Sequence, residues 1–350
     1  MKAIIMAGGE GTRLKSVTGD TPKPMALLAG RPVLEHILKL LKKNGIRQVC
    51  MALHYRPEVI QDYFGDGSSL DMEVSYQVEQ AQLGTAGGVR ACRGFYQNED
   101  FLVISGDCAC DFDLRALIEQ HRRRAPAVTM ALAAHETPLQ YGTVLTDRSG
   151  FVVSFVEKPS WEQVVTDLVN TGIYILTPGA MDFVPEGQAW DFARDLFPAL
   201  MEAKMEILGV RMEGYWCDIG TPRSYYQCNL DALDGTLHLE QPPAPAPSRP
   251  TVPRRPPDGM TVTEYRCRSR ARLMRELSQQ LMEAGEDFDL RDGVRLHLGL
   301  GDVRIAPSPE RESLVISADA EDPGRASALV RGCARFLQGI EGTDSGAPGA

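Results

Sequence analysis

The chain predicts a doubly wound α/β fold with a mostly parallel sheet and an antiparallel insertion, followed by a small α+β domain. Three observations carry this. Short apolar runs alternate with amphipathic helical stretches through the first 235 residues. The first run, residues 3–7, empties into Gly8-Gly9-Glu10-Gly11; such a turn belongs at the carboxyl end of a parallel sheet, where the ligand crevice of these folds opens. Residues 241–258 then hold eight prolines in eighteen positions with no apolar period, so the chain is broken in two.

The elements follow in order. Ala3-Ile4-Ile5-Met6-Ala7 reads as a buried strand. Arg31-Pro32-Val33 opens a helix whose apolar stripe is Val33, Leu34, Ile37, Leu38 and Leu41, with Lys42-Lys43 at its carboxyl end and Gly45 as its stop. Residues 49–53 form the next strand and 57–64 a short helix. Residues 101–105 and 128–133 are further buried strands, and 143–145 with 151–156 form a hairpin across Asp147-Arg148-Ser149-Gly150. The proline-rich stretch predicts a semi-rigid linker of roughly 50 Å if it is fully extended at about 3.1 Å per residue. Beyond it, 270–283 is a helix with Leu273, Met274, Leu277 and Leu281 on one face. Strands at 294–298, 303–305 and 314–318 and a helix at 326–337 complete an αβββα order. The expected domains are 1–235, a linker at 236–259, a second domain at 260–341 and a disordered tail at 342–350.

Composition narrows the class. At 350 residues the chain can bury two cores, and 43% apolar with 24% charged residues describes an ordinary soluble protein. A net charge of −10 argues against nucleic acid as a partner. No stretch approaches eighteen apolar residues and the first residues enter a strand at once, so neither a membrane span nor a signal peptide is expected. Eight scattered cysteines fit reduced thiols and a cytoplasmic location. Cys108-Ala109-Cys110 lacks a second Cys/His pair at finger spacing, which excludes a structural zinc site.

The glycine turn carries the chemistry. Gly8, Gly9 and Gly11 let backbone N–H groups close around phosphate oxygens, while Arg13 and the proline-framed Lys23 supply fixed cations. No Lys-Ser/Thr pair closes a P-loop, and the third glycine of a dinucleotide fingerprint is missing. The grip is therefore one for a nucleoside triphosphate of another kind. Ser105-Gly106-Asp107 ends an apolar strand, and Cys217-Asp218-Ile219-Gly220 offers a second carboxylate framed by turn residues.

Gly8-Gly9-Glu10-Gly11-Thr12-Arg13-Leu14 and Pro22-Lys23-Pro24-Met25 resemble the G-G-x-G-T-R-L and P-K-P-M segments of the sugar-1-phosphate nucleotidylyltransferases, a Rossmann-like family. Within it the chain most resembles the mannose-1-phosphate guanylyltransferase branch, through Asp191-Phe192-Ala193-Arg194-Asp195, Tyr225 and the stretch 231–235. The resemblance implies an enzyme that joins a nucleoside triphosphate, GTP favoured, to a sugar 1-phosphate and releases pyrophosphate. It implies that Gly8, Gly9, Gly11, Thr12, Arg13 and Lys23 hold the nucleotide and that Asp107 and Asp218 hold Mg²⁺. Gln82-Leu83-Gly84-Thr85-Ala86-Gly87 resembles the segment that meets the base near Gly84; Glu79 either hydrogen-bonds the base edge or is a solvated loop residue. Three further segments resemble the sugar-phosphate pocket, implying sugar-hydroxyl contacts from Glu157 and Asn170, close approach at Gly142, and Lys158 on the phosphate. UTP, dTTP or CTP with another sugar phosphate, and a silent nucleotide-sugar sensor, stay open as alternatives, as does homo-oligomerisation.

Residues 267–275, Asp292-Gly293-Val294 and Ala306-Pro307-Ser308-Pro309-Glu310 resemble the last domain of phosphomannomutase-like proteins. The mutase phosphoserine and magnesium loops have no counterpart, so this domain is expected to serve association or regulation.

Overall fold

Lys2–Met6 (β1) holds Ala3, Ile4 and Ile5 with no solvent exposure, a run that only an inner strand covered on both faces can bury. In the computed structural model it is such a strand. The structure describes residues 1–135, 138–240, 260–267, 273–274, 277, 280–281, 284, 288–289, 294–298, 301–308, 313–320 and 322–342. Residues 241–259 of the expected linker and 343–350 of the expected tail lie outside these residues. The chain divides into two compact units, Met1–Tyr225 with His238–Glu240, and Tyr226–Leu237 with the described part of Gln241–Ala350.

The strands of the first unit continue as Leu27–Leu28 (β2), Arg31–Pro32 (β3), Gln48–Leu53 (β4), Glu73–Val78 (β5), Phe101–Ser105 (β6), Cys108–Cys110 (β7) and Val128–Ala134 (β8). Gly142–Thr146 (β9), Val152–Glu157 (β10), Leu168–Leu176 (β11), Ile207–Arg211 (β12) and Trp216–Asp218 (β13) complete them. Among the described residues nine of these form one sheet with the path β10-β9-β11-β6-β1-β4-β5, and β8 joins β11 to β12. The run β6-β1-β4-β5 is parallel. From β1 the chain winds outward through β4 and β5, then returns to β6 on the other side of β1. That reversal leaves the crevice between the ends of β1 and β6 uncovered by a connection, which is where open α/β sheets bind ligands. The expected insertion is the antiparallel set β11-β6, β11-β8 and the β9–β10 hairpin.

The helix Val33–Lys43 buries the whole expected stripe, Val33, Leu34, Ile37, Leu38 and Leu41, and Gly45 ends it at φ +83°. Pro57–Phe64 is the second expected helix. One core cluster packs β1, β4, β6, β8 and β11 against the helices Gly84–Ala91, Arg93–Tyr96 and Phe197–Glu202. Tyr174, Phe192 and Phe197 meet in it at ring-centroid distances of 5.1, 5.1 and 5.7 Å. Each fully buried aromatic of this kind stabilises the fold by about 1.5–3 kcal/mol. Residues 84–91, read from sequence as a binding segment, are a helix that starts at Gly84. His238, inside the stretch expected as linker, is held in the first unit by 3.0 Å bonds from its N–H and Nδ1 to Asp111 Oδ2.

In the second unit the strands are Met260–Arg266 (β14), Phe288–Asp289 (β15), Val294–Leu298 (β16), Gly301–Pro307 (β17) and Ser313–Asp319 (β18). Among the described residues they form an antiparallel sheet in the order β14-β18-β17-β16-β15. The expected αβββα order therefore misses β14, a strand before the first helix, and the short β15. Thr261, Thr263 and Tyr265 alternate with more exposed neighbours, a half-buried pattern without the strong apolar residues that mark the other strands. Leu273, Met274, Leu277 and Leu281, the expected helix face, are buried, as is the inner side of the helix Pro323–Gly342. Most of the residues carrying the mutase resemblance, including 268–272, 292–293 and 309–310, lie outside the described residues. Among those described, no helix is long and apolar enough to cross a membrane.

Candidate active site

The turn leaving β1 is built around Lys23. Gly11 takes φ +67°, and a Cβ there would lie 2.6 Å from Lys23 Cβ. Glycine at this position both adopts the left-handed backbone and makes room for the lysine stem. Thr12–Leu14 then forms a single 3-10 turn in which Leu14 is fully buried as an anchor and Arg13 faces outward. Proline on both sides of Lys23 restricts its backbone, and Met25 N–H closes the turn onto Pro22 carbonyl at 2.8 Å. Lys23 is 7% exposed, rare for a lysine unless it is paired. It is paired twice: its ammonium donates to Asp107 Oδ2 at 2.6 Å and to Asp218 Oδ1 at 3.0 Å.

The two aspartates meet because of a short ladder. Gly106 N–H donates to Met6 carbonyl at 2.9 Å, and a Cβ on Gly106 would sit equally close to that oxygen, so glycine lets the chain cross the end of β1. β7 follows at once and pairs antiparallel with β13 in the register Asp218↔Cys108. Ile219 N–H reaches Asp107 carbonyl at 3.3 Å. Burial pushes the Lys23 ammonium down, but the charges of Asp107 and Asp218 outweigh it and hold the group above the usual lysine value. Asp218 is held above the usual carboxylate value, first by burial and then by the Asp107 charge, with Lys23 opposing. These two carboxylates are the hard-oxygen pair that could hold a divalent cation. Among the described residues no third His, Cys, Asp or Glu joins them. That donor set fits Mg²⁺, which keeps several waters and is commonly held by one or two carboxylates plus substrate phosphates.

Two adjoining cavities open beside this group. One, about 240 Å³, is lined by Gly9, Gly11, Thr12, Arg13, Lys23 and Asp107. The other, about 250 Å³, is lined by Arg13, Asp107, Asp218, Gly142, Glu157, Lys158 and Asn170 among others. Arg13 and Asp107 line both. A Cβ on Gly142 would lie 2.7 Å from Phe155 Cζ and 2.8 Å from Glu157 Oε2, so the glycine is what lets this carboxylate lie across the strand. Burial pushes Glu157 above the usual carboxylate value, and Lys158 opposes. Lys158 sits at φ +49°, an uncommon conformation for a side-chain residue, and its N–H bonds Tyr141 carbonyl at 3.0 Å. Asn170 Oδ1 accepts from Gly172 N–H at 3.1 Å, inside the register shift of β11 between Asn170 and Tyr174.

Several lining residues were not singled out from sequence. Thr85 Oγ1 donates to Asp191 Oδ2 at 2.8 Å and accepts from Phe192 N–H at 3.0 Å, tying the start of one helix to the cap of another. Trp216 donates from Nε1 to Thr171 carbonyl at 3.1 Å and meets the Tyr141 ring edge-on at 5.2 Å. The Tyr141 hydroxyl is pushed up to about 12, by burial first and by the Asp218 charge second. No periodicity marks these pairs; only Asp191, as a helix-capping aspartate, has a local signal. Three expected residues line neither cavity: Gly8, Glu79 and Gly84. A Cβ on Gly8 would press on His54 at 3.3 Å, and one on Gly84, at φ +70°, would lie 2.6 Å from Trp190 carbonyl. Glu79 turns inward: its Oε2 accepts from Leu83 N–H at 3.1 Å, and its Oε1 lies against Gly88. Burial holds it above the usual carboxylate value.

Two carboxylates and two cations, gathered where two cavities meet at a sheet's switch point, suit the binding of phosphate groups. The model of the family described as Nucleotidyl transferase matches residues 2–235, and the chain belongs to that family. The chain is 34% identical over 253 residues to a UTP–glucose-1-phosphate uridylyltransferase from Synechocystis sp., covering 69% of this chain and 64% of that protein. It is 36% identical over 234 residues to the mannose-1-phosphate guanylyltransferase of Mycobacterium tuberculosis, covering 67% and 65%. It is 37% identical over 227 residues to the D-glycero-alpha-D-manno-heptose 1-phosphate guanylyltransferase of Campylobacter jejuni, covering 65% and 97%. The match thus spans just under two thirds of the length of the first two relatives. Among solved structures, HddC from Yersinia pseudotuberculosis complexed with GMP-PN matches with a TM-score of 0.57 at 29% identity, covering 65% of this chain and 97% of that one.

Proposed function

We propose that residues 1–235 transfer a nucleotidyl group from a nucleoside triphosphate to a sugar 1-phosphate, releasing pyrophosphate and forming a nucleotide sugar. The observation that carries this reading is the pair of cavities that share Arg13 and Asp107, Lys23 lining one and Asp218 the other, with the Lys23 ammonium bonded to both carboxylates. In this reading the triphosphate lies against the glycine turn and the sugar phosphate against Glu157, Lys158 and Asn170. An oxygen of the sugar phosphate attacks the α-phosphorus in line, and the bond from that phosphorus to the pyrophosphate oxygen breaks. No protein nucleophile is required. Arg13 and Lys23 neutralise charge that builds on the phosphates, and the two cavities hold the reactants in attack geometry. Mg²⁺ bound to Asp107 and Asp218 would supply further charge neutralisation on the phosphate oxygens.

GTP is the favoured donor, because two of the three relatives above are guanylyltransferases by name. Both also take manno-configured sugars by name, so mannose 1-phosphate is the favoured acceptor. The uridylyltransferase relative makes UTP with glucose 1-phosphate the second reading. The test is pyrophosphate release with Mg²⁺ across GTP, UTP, dTTP and CTP, each with mannose, glucose and manno-heptose 1-phosphates. GTP with a manno-configured acceptor is expected to be fastest. Release with no pair would leave a nucleotide-sugar binder without turnover.

A further inference from the structure

We infer that Lys23 is a counter-cation of the Asp107–Asp218 pair that competes with a divalent ion for the same carboxylates, and that its ammonium makes divalent-cation binding depend on the nucleotide. The inference rests on the transferase reading only for the identity of the nucleotide. Its basis is geometric. The Lys23 ammonium lies between Asp107 Oδ2 and Asp218 Oδ1, at 2.6 and 3.0 Å, donating to the two carboxylates that form the site's hard-oxygen pair. Its stem is packed on Gly11 and its backbone is held by Pro22 and Pro24, so the head cannot withdraw far into solvent. Lys23 is 7% exposed, while the aspartate side chains are 36% and 31% exposed. A divalent ion therefore has access to the carboxylates but meets a fixed positive charge already bonded to them. Two such cations within a few ångströms repel strongly, since this mouth is only partly screened by water.

Triphosphate changes the balance. The cavity that Lys23 lines also contains Gly9, Gly11, Thr12 and Arg13, so phosphate oxygens placed there give the ammonium another partner. Once it moves to them, both carboxylates are free for the metal, and the same phosphates supply oxygens to the ion. Metal and nucleotide then bind with positive coupling, and the coupling is reciprocal. A lysine serving only as a phosphate ligand produces no such effect on metal binding in the nucleotide-free protein.

The test is Mn²⁺ binding to the full-length protein, read by loss of the free-ion electron paramagnetic resonance signal, with melting checked by circular dichroism. Without nucleotide, Lys23→Met is expected to bind Mn²⁺ at least tenfold more tightly than wild type, and Asp218→Asn in that background should abolish the gain. In wild type, a non-hydrolysable GTP analogue should tighten Mn²⁺ binding at least tenfold beyond the Mn²⁺ that the analogue takes up without protein, with a smaller effect in Lys23→Met. Equal Mn²⁺ affinity for wild type and Lys23→Met, or a gain that survives Asp218→Asn, would overturn the inference. If Lys23→Met does not fold, Lys23→Gln and the wild-type coupling decide it; nucleotide-independent Mn²⁺ binding in wild type is then the contrary result. Pyrophosphate release is scored separately. Turnover without the Mn²⁺ gain defeats the counter-cation alone, whereas the gain without turnover defeats the transferase reading alone.

Discussion

Glu79 shows how residue type and residue role part company. Its position one segment before Leu83-Gly84 suggested a base contact, yet the carboxylate caps Leu83 N–H and rests on Gly88. Sequence left open a base contact or a solvated loop residue, and the backbone cap was neither, because a carboxylate after a strand carries no local mark of the N–H it will meet. Its position now supports a role in shaping the turn between residues 79 and 83, not in reading an atom of the base. Glu79→Ala is therefore expected to raise KM several-fold for GTP and UTP alike, with kcat much less affected. Steady-state kinetics with both nucleotides checks this, and an effect confined to GTP would put the carboxylate on guanine. The phosphate turn was far more legible. Gly11 requires both a positive φ and the absence of a Cβ beside Lys23, and each demand leaves its mark in the residue type.

At the scale of elements, the apolar strands were readable because each carries an unbroken buried run. β6 has four buried residues of five and falls at the expected 101–105. Unread from sequence were β2, β3, β5 and β12, whose buried runs are short or broken, and β7 and β13, three residues each, which have no period to read. The pairing of β7 with β13 is nevertheless what joins Asp107 to Asp218, so the site's central contact was legible only by resemblance. β11 was likewise read as a pocket segment, although it runs through the sheet and reaches the pocket at its irregularity. Gly172 takes φ +76° there, and a Cβ would strike Ser105 Oγ. Gly172→Ala is expected to cost about 1–2 kcal/mol for the backbone alone, with further loss from the clash. Because Asn170 caps that turn, the variant should also raise KM for the sugar phosphate more than KM for the nucleotide. Urea titration and paired kinetics measure the two effects; unchanged stability would refute this reading of the bulge.

For the molecule as a whole, stability should depend on pH through buried groups remote from the mouth. His121 is 1% exposed, bonded through Nδ1 to Thr129 Oγ1 at 2.8 Å and through Nε2 to Asp100 at 3.3 Å. Burial outweighs Asp100 and holds its imidazole below the usual histidine value. His36, bonded to Leu28 carbonyl at 2.8 Å, is likewise lowered, chiefly by burial. The unfolded chain therefore binds more protons once pH falls below about 6.5, so stability is full above that value and declines as pH drops toward the folded-state values. Glu35 adds a separate loss in more acid solution. Although burial opposes it, Lys39, Tyr63 and Arg31 hold its carboxyl below the usual value, and the stability it supplies above about pH 4.3 disappears as it protonates. Urea midpoints at pH 7.5 and 5.5 test the histidine part, and a flat profile would contradict it. The division of labour between domains was also read from sequence, its boundary from the proline-rich break and its roles from the two resemblances, and we keep it as a proposal: transfer by residues 1–235, with association or regulation by 260–341.

The central claim is that Asp107 and Asp218, bridged by Lys23, serve the transfer of a nucleotidyl group to a sugar phosphate. Its most direct test is pyrophosphate release from GTP and mannose 1-phosphate with Mg²⁺, comparing wild type with Asp107→Asn and Asp218→Asn of matched melting temperature. Wild type should turn over with this or another manno-configured acceptor, and each variant should fall by about 10²–10³-fold, the usual loss of one charge-stabilising group. Near-normal release in both folded variants would contradict the account.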